Sequence, residues 1–128
     1  MAVQPFSSAD AQFAIAAVRE ASLLARRIQR EMVTGALTKD DRSPVTVADF
    51  AVQALIAHRL ADYAPGATLI GEEQADALRG SENVGALRQI VAFLQSSIPS
   101  VTADEVCSLI DRGGGTPPAT FWTLDPID

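Results

Sequence analysis

Two aspartates stand at the end of the chain, directly after an aromatic and apolar segment. Residues 121–124 (Phe-Trp-Thr-Leu) have the composition of a short buried strand, and Asp125-Pro126-Ile127-Asp128 follows. Pro126 has a fixed φ and no N–H donor, so the chain must turn off the strand at Asp125. The carboxylates of Asp125 and Asp128 and the carbonyl of Ile127 can then share one small space. Such hard oxygen ligands suit Mg²⁺, whereas the alternative interpretation is an Asx-type turn that closes the strand.

A second acidic pair repeats this layout earlier in the chain. Residues 67–70 (Ala-Thr-Leu-Ile) predict a short strand, at about Thr68 to Ile70, and Gly71-Glu72-Glu73 follows. Taken alone, two acids here indicate only a solvated strand end. If the two predicted strands lie side by side, however, their ends bring Glu72 next to Asp125 and Asp128.

A third carboxylate, Asp49, stands near the start of a predicted helix. Thr46 followed three residues later by Asp49 resembles a capping box, which would begin the helix at this point. One interpretation is that Asp49 only caps its own helix. The other is that the cap also holds this carboxylate in a fixed geometry for chemistry.

The elements that must position these acids are mostly helices. Helical spacing and cap residues predict a long amphipathic helix from Ser7 or Ser8 to about Gly35, a loop over residues 37–45 and a second helix to about Tyr63. Residues 74–83 are predicted to form a polar loop with at most a helical turn. Two shorter helices complete the set, one over residues 84–94 and one that begins at a capping box at Thr102.

Four arginines of the first helix could bind phosphate, but their spread over several faces favours a solvated surface paired with Glu20 and Glu31. They are Arg19, Arg26, Arg27 and Arg30.

Three further features favour structural interpretations. His58 is the single histidine and is predicted to be solvated, while Cys107 lies near an apolar stripe and is predicted to pack. Residues 113–118 are rich in glycine and proline and precede a strand instead of a helix. They therefore predict a flexible surface loop, not a phosphate cradle.

Composition narrows the classes of function. The chain has 128 residues and a net charge of −6, which makes a nucleic-acid backbone an unfavourable partner. Its one cysteine cannot form an internal disulfide, which fits a reducing compartment. No apolar run reaches the ~18 residues of a membrane helix, and the first residues lack the features of a signal peptide. These features predict a cytoplasmic protein without a membrane partner.

The motif at residues 125–128, after its hydrophobic strand, resembles the signature of the lithium-sensitive, Mg²⁺-dependent phosphatases that include inositol monophosphatase. Residues 121–124, residues 38–46 with Asp49, and the glycine-rich loop before the last strand resemble the 3'(2'),5'-bisphosphate nucleotidase branch of that superfamily. Gly71-Glu72-Glu73 matches the family's second motif, so the resemblance covers the whole chain.

The resemblance implies a fold and a set of site residues. The fold would be α+β, a layered α/β/α/β/α sugar-phosphatase-like architecture. Residues 1–128 would form its N-terminal part, truncated inside the signature motif. By resemblance, Mg²⁺ would be bound by the carboxylates of Glu72, Asp125 and Asp128 and by the carbonyl of Ile127, with Glu73 as a neighbour. Asp49 would be the catalytic residue that orients or deprotonates the attacking water.

The resemblance also implies an activity, the Mg²⁺-dependent removal of the 3'-phosphate of adenosine 3',5'-bisphosphate to give AMP. The partner would be this small phosphorylated nucleotide, in the context of sulfur assimilation, and the residues that bind it would lie beyond residue 128. Two alternatives stay open: an inositol phosphate phosphatase of the same superfamily, or a truncated non-catalytic relative that binds a second chain. Without a C-terminal lobe, the isolated chain is expected to be inactive.

Overall fold

The computed structural model describes residues 7–33 and 44–125, which form a mostly helical chain with two short strands, as the sequence predicts. In chain order the elements are α1 (Ser8–Val33), α2 (Pro44–Tyr63), β1 (Leu69–Ile70), α3 (Asp76–Arg79), α4 (Val84–Leu94), α5 (Ala103–Asp111) and β2 (Trp122–Thr123).

Helix α1 begins with a reciprocal cap. The Asp10 N–H donates to Ser7 Oγ at 3.0 Å, and the Ser7 N–H donates to Asp10 Oδ2 at 3.2 Å. The two bonds satisfy backbone donors that the first turn of a helix leaves without partners. The predicted start of this helix is therefore confirmed; its predicted end near Gly35 lies outside the described residues.

Helix α2 begins earlier than the sequence predicts. It starts at Pro44, so the capping box predicted at Thr46 and Asp49 is wrong. Of the loop predicted over residues 37–45, Pro44 and Val45 are helical, and the remainder lies outside the described residues. Proline suits the first helical position, because the N–H that it lacks would have no intrahelical acceptor there. Asp49 consequently lies in the second turn of α2 and does not cap it.

Helix α2 is the centre of the core. It packs against α1 and also against α4 and α5, and a helix that is covered in this way is apolar on nearly all sides. Its buried apolar residues are Val47, Ala48, Phe50, Ala51, Val52, Ala54, Leu55, Ile56, Ala57 and Leu60.

The two strands pair side by side and run parallel, which confirms their predicted adjacency. Leu69 lies opposite Trp122, and Ile70 lies opposite Thr123. The Trp122 N–H donates to the Thr68 carbonyl at 2.8 Å, and the Leu124 N–H donates to the Ile70 carbonyl at 2.9 Å. Both strands are shorter than predicted, with two residues each.

The connection between the strands contains more helix than the polar sequence of residues 74–83 indicates. Helix α3 and a 3-10 turn over Ser81–Asn83 form there, because Leu78 is buried in the core and anchors the segment.

Helix α5 begins as predicted. The Glu105 N–H donates to Thr102 Oγ1 at 3.2 Å, and the Thr102 hydroxyl donates to Glu105 Oε1 at 3.1 Å.

The predicted pairing of the α1 arginines is half right. Arg27 Nε lies 2.7 Å from Glu31 Oε2, but Glu20 pairs with Arg59 of α2 instead of an arginine of its own helix. His58 is half-buried, and its Nδ1 lies 3.8 Å from Asp62 Oδ2. Cys107 is buried, as its predicted packing role requires.

Candidate functional site

The segment Gly71-Glu72-Glu73, here called the acidic segment, follows β1 without a gap. The Gly71 N–H donates to the Gly113 carbonyl at 2.9 Å, and the Glu73 N–H donates to Gln53 Oε1 at 3.0 Å. Both residues that flank Glu72 are therefore bonded to other parts of the chain. The side chain of Glu72 is exposed at the end of the strand.

Asp125 occupies the corresponding position after the second strand. Glu72 lies two residues beyond Ile70, and Asp125 lies two residues beyond Thr123, the residue that pairs with Ile70. Because parallel strands end at the same edge of a sheet, this register places both acids on one side of the strand pair. Asp125 is exposed. The other two predicted ligands, Ile127 and Asp128, lie outside the described residues.

Asp49 lies on helix α2, where its side chain is half-buried. The pKa of Glu73 is raised above its ordinary value, first by burial and then by the negative charges of Asp49 and Glu72. The charges of Asp49 and Glu72 thus both act on the carboxyl group of Glu73.

Within the part of the chain that the structure describes, no ion pair neutralises the acidic segment. None of the salt bridges found within residues 7–33 and 44–125 includes Glu72 or Glu73. In the same ranges, no three side chains of Asp, Glu, His or Cys stand close enough together to hold a metal ion by themselves. The donor set consists of oxygen atoms, which suits Mg²⁺ better than a metal that prefers nitrogen or sulfur. Burial raises the Glu73 pKa most, and the negative charges of Asp49 and Glu72, which raise it further, are what a bound cation would offset.

Gln53 contacts the acidic segment, although the sequence analysis did not single it out. It is fully buried, and it lies one helical turn after Asp49, so the two side chains share a face of α2. Its amide binds the backbone of Glu73 and the carbonyl of Ile110. The signal that could have revealed it is an amide in an otherwise apolar run, residues 50–57.

The loop predicted over residues 113–118 is at the surface only in part. Its later residues are exposed, but Gly113 is buried between Gln53 and Gly71. The prediction of a surface loop is therefore wrong for Gly113. The Gly113 N–H donates to the Ile110 carbonyl at 3.1 Å, and this bond continues the end of α5 up to the acidic segment.

Comparison with known proteins supports the interpretation of these motifs. Residues 7–128 match the sequence profile of the inositol monophosphatase family. The chain is 39% identical to a 3'(2'),5'-bisphosphate nucleotidase of Schizosaccharomyces pombe, over 94% of this chain and 38% of the relative. It is 36% identical to 3'(2'),5'-bisphosphate nucleotidase 2 of Candida albicans, over 93% of this chain and 37% of the relative. A 3'(2'),5'-bisphosphate nucleotidase of Emericella nidulans is 34% identical, over 88% of this chain and 35% of the relative.

The chain therefore spans little more than a third of the length of these relatives. None of the helices in the described part of the chain is both long and apolar enough to cross a membrane.

Proposed function

Because this chain belongs to the inositol monophosphatase family, we propose that it supplies part of the active site of a phosphatase that acts on adenosine 3',5'-bisphosphate. The reaction is hydrolysis of the 3'-phosphate ester, which gives AMP and inorganic phosphate. The names of the relatives support this choice of substrate. The observation that carries the proposal is that two parallel strands end in acids, Glu72 and Asp125, at the same edge of the sheet. The charge of Asp49 also acts on Glu73, the neighbour of Glu72.

The residues that would hold Mg²⁺ are Glu72, Asp125, Asp128 and the carbonyl of Ile127. Two or more Mg²⁺ ions, when bound, supply positive charge that offsets the negative charge of the phosphate oxygens and lowers the pKa of a water molecule. The chain contributes carboxylates at fixed backbone positions. Glu72 is fixed by the hydrogen bonds of its two neighbours, and Asp125 by the hydrogen bond from the Leu124 N–H to the Ile70 carbonyl.

We assign to Asp49 the role of accepting a proton from the attacking water. It stands on α2, which packs on α1, α4 and α5, so the core determines where this carboxylate lies relative to the end of β1. A positioned carboxylate accepts the proton as the water oxygen bonds to phosphorus and the bond to the 3'-oxygen breaks. The leaving 3'-oxygen takes up a proton from solvent, Asp49 later releases its proton to solvent, and no covalent intermediate with the protein forms.

We further propose that residues 1–128 form the N-terminal part of a layered α/β/α/β/α domain. The share of the relatives that the chain covers supports this assignment. The remaining part would supply another metal ligand and the residues that bind the nucleotide. We accordingly expect the isolated 128-residue chain to release no phosphate. The cytoplasmic location indicated by the single cysteine stays a prediction.

The test is phosphate release by the complete natural protein that carries this sequence, with and without Mg²⁺. The substrates are adenosine 3',5'-bisphosphate and inositol 1-phosphate at equal concentration. We expect Mg²⁺-dependent turnover with a higher kcat/KM for the bisphosphate. A higher kcat/KM for inositol 1-phosphate would reassign the substrate. Turnover that ignores Mg²⁺, or no turnover of either ester, would contradict the proposal.

A further inference from the structure

Gln53 is the one polar side chain in the buried core of the described residues, and its amide is almost fully bonded. Nε2 donates to the Glu73 carbonyl and to the Ile110 carbonyl, both at 2.8 Å, and Oε1 accepts from the Glu73 N–H at 3.0 Å. Only Oε1 can accept from an N–H and only Nε2 can donate to carbonyls, so these partners determine the orientation of the amide. A buried amide without such bonds would be strongly unfavourable.

Two glycines leave the space that this amide occupies. A Cβ on Gly71 would lie 2.4 Å from Gln53 Oε1, and a Cβ on Gly113 would lie 2.6 Å from Gln53 Nε2. Any side chain at either position would displace the amide. Helix α2, the residue after β1 and the end of α5 therefore meet at Gln53.

We propose that Gln53 is a positioning residue for the metal ligand Glu72, an inference that rests on the function proposed above. The amide binds both the N–H and the carbonyl of Glu73, while Gly71 is bonded to Gly113, so the backbone on each side of Glu72 is fixed. Asp49 lies one turn earlier on the same helix. Helix α2 thereby sets the position of the proton acceptor and of a metal ligand relative to each other.

A purely structural role for Gln53 predicts a different result from a positioning role. If the amide only fills the core, its loss lowers the free energy of unfolding and leaves the cation affinity of the folded protein unchanged. If the amide positions Glu72, its loss weakens cation binding even where the protein is fully folded. Residues that orient metal ligands without touching the metal commonly change metal affinity about 10–100-fold.

The experiment compares Gln53→Met with the wild type in the complete natural protein. Methionine has a similar volume but cannot form the three hydrogen bonds. Mn²⁺ replaces Mg²⁺, and its binding is measured directly by electron paramagnetic resonance of the free ion, without any turnover. Gln89→Met is the matched control, because Gln89 is a half-buried glutamine of α4. Glu72→Gln identifies the Mn²⁺ site.

We expect the Kd for Mn²⁺ to rise about 10–100-fold in Gln53→Met and to stay at the wild-type value in Gln89→Met. An unchanged Kd in folded Gln53→Met, with wild-type binding that depends on Glu72, would overturn the positioning role and leave the proposed function intact. Wild-type protein whose Mn²⁺ binding does not depend on Glu72 would overturn both.

A second measurement needs no substitution and applies if Gln53→Met does not fold. The Glu73 N–H donates to Gln53, so its hydrogen exchange reports how firmly this contact is closed. If the contact positions Glu72, Mg²⁺ binding must stabilise the contact in return, since coupling between two sites is reciprocal. We expect saturating Mg²⁺ to slow exchange of the Glu73 amide by about fivefold or more. Exchange that Mg²⁺ leaves unchanged would overturn the proposal.

Discussion

Two regions near the ends of helix α2 contain carboxylates, and they differ in whether a positive side chain compensates the negative charge. Near its end, Arg59 donates to both carboxylate oxygens of Glu20 at 2.8 and 2.7 Å and to the Ser97 carbonyl at 3.1 Å. The pKa of Glu20 is lowered, chiefly by the hydrogen bonds from Arg59. Near its start lies Asp49, and the pKa of Glu73 is raised first by burial and then by the charges of Asp49 and Glu72.

We interpret this difference as one between a structural use of carboxylates and the functional use proposed above. The pair of Glu20 and Arg59 connects α1, α2 and the segment after α4, and the charges of the pair cancel within the chain. The acidic segment keeps an excess of negative charge at an exposed strand end. Groups with perturbed pKa values concentrate at functional sites, and in the proposed site a bound cation would offset this charge.

Removal of an acid at the proposed metal site should have the largest effect. Asp125→Asn keeps the shape of the side chain but weakens its binding to a cation, so we expect nearly complete loss of phosphatase activity in the complete protein. The measurement is Mg²⁺-dependent phosphate release. Asp76→Asn is the matched control, since Asp76 is an exposed acid of α3. Substantial activity in Asp125→Asn would remove this residue from the ligand set.

Asp49→Asn should lower kcat more than it lowers cation affinity. Loss of a general base commonly costs about 10²–10⁴-fold in rate. Because α2 begins at Pro44, Asp49 does not cap the helix, and we expect no loss of stability from a lost helix cap. The measurements are kcat and thermal unfolding of the same preparation. A lower melting temperature together with an unchanged kcat would show that Asp49 has only a structural role.

At the Glu20–Arg59 pair, Arg59→Met should lower the free energy of unfolding and leave the proposed metal site intact. The substitution leaves Glu20 and the Ser97 carbonyl without their donor, but the pair is partly exposed to solvent. We expect a loss of about 1 kcal/mol in the free energy of unfolding, measured with urea. Arg26→Met, at an exposed arginine of α1, is the control. Equal losses in the two variants would mean that the pair contributes nothing specific.

The two regions should respond to pH with opposite signs, although the effects are small. The lowered pKa of Glu20 means that its stabilisation is present above its ordinary value of 4.5 and is lost as the pH falls through the folded-state value. The raised pKa of Glu73 means that stability falls as the pH rises from 4.5 through its folded-state value. Urea unfolding of Glu20→Gln and Glu73→Gln across this range measures both. We expect Glu20→Gln to be less stable than the wild type at neutral pH, and Glu73→Gln to be more stable. Differences of the same sign would contradict the comparison.

The sequence predicts the parts of this arrangement that local patterns encode. Two short apolar segments, each followed by acids, were enough to predict a pair of adjacent strands. The start of α1 and the cap of α5 at Thr102 also follow from local residue types. The start of α2 does not, because Thr46 and Asp49 offer a cap while Pro44 offers a better first residue.

The tertiary contacts could not be predicted in this way. Gln53 binds Glu73 and Ile110, which are 20 and 57 residues away along the chain. Glu20 binds Arg59 at a separation of 39 residues, whereas rules for neighbouring helical positions suggest an arginine of α1. Both contacts depend on how α2 packs in the core, which no short pattern records.

The most direct test of the central claim is to locate a cation at the strand ends. Crystals of the complete protein soaked in Mn²⁺ would give an anomalous density peak at its position. We predict a peak between Glu72 and Asp125, with an oxygen of each carboxylate at about 2.1–2.2 Å, close to the distance that Mg²⁺ requires. A fully occupied Mn²⁺ site elsewhere, with no peak within reach of both carboxylates, would contradict the assignment of this edge as the metal centre.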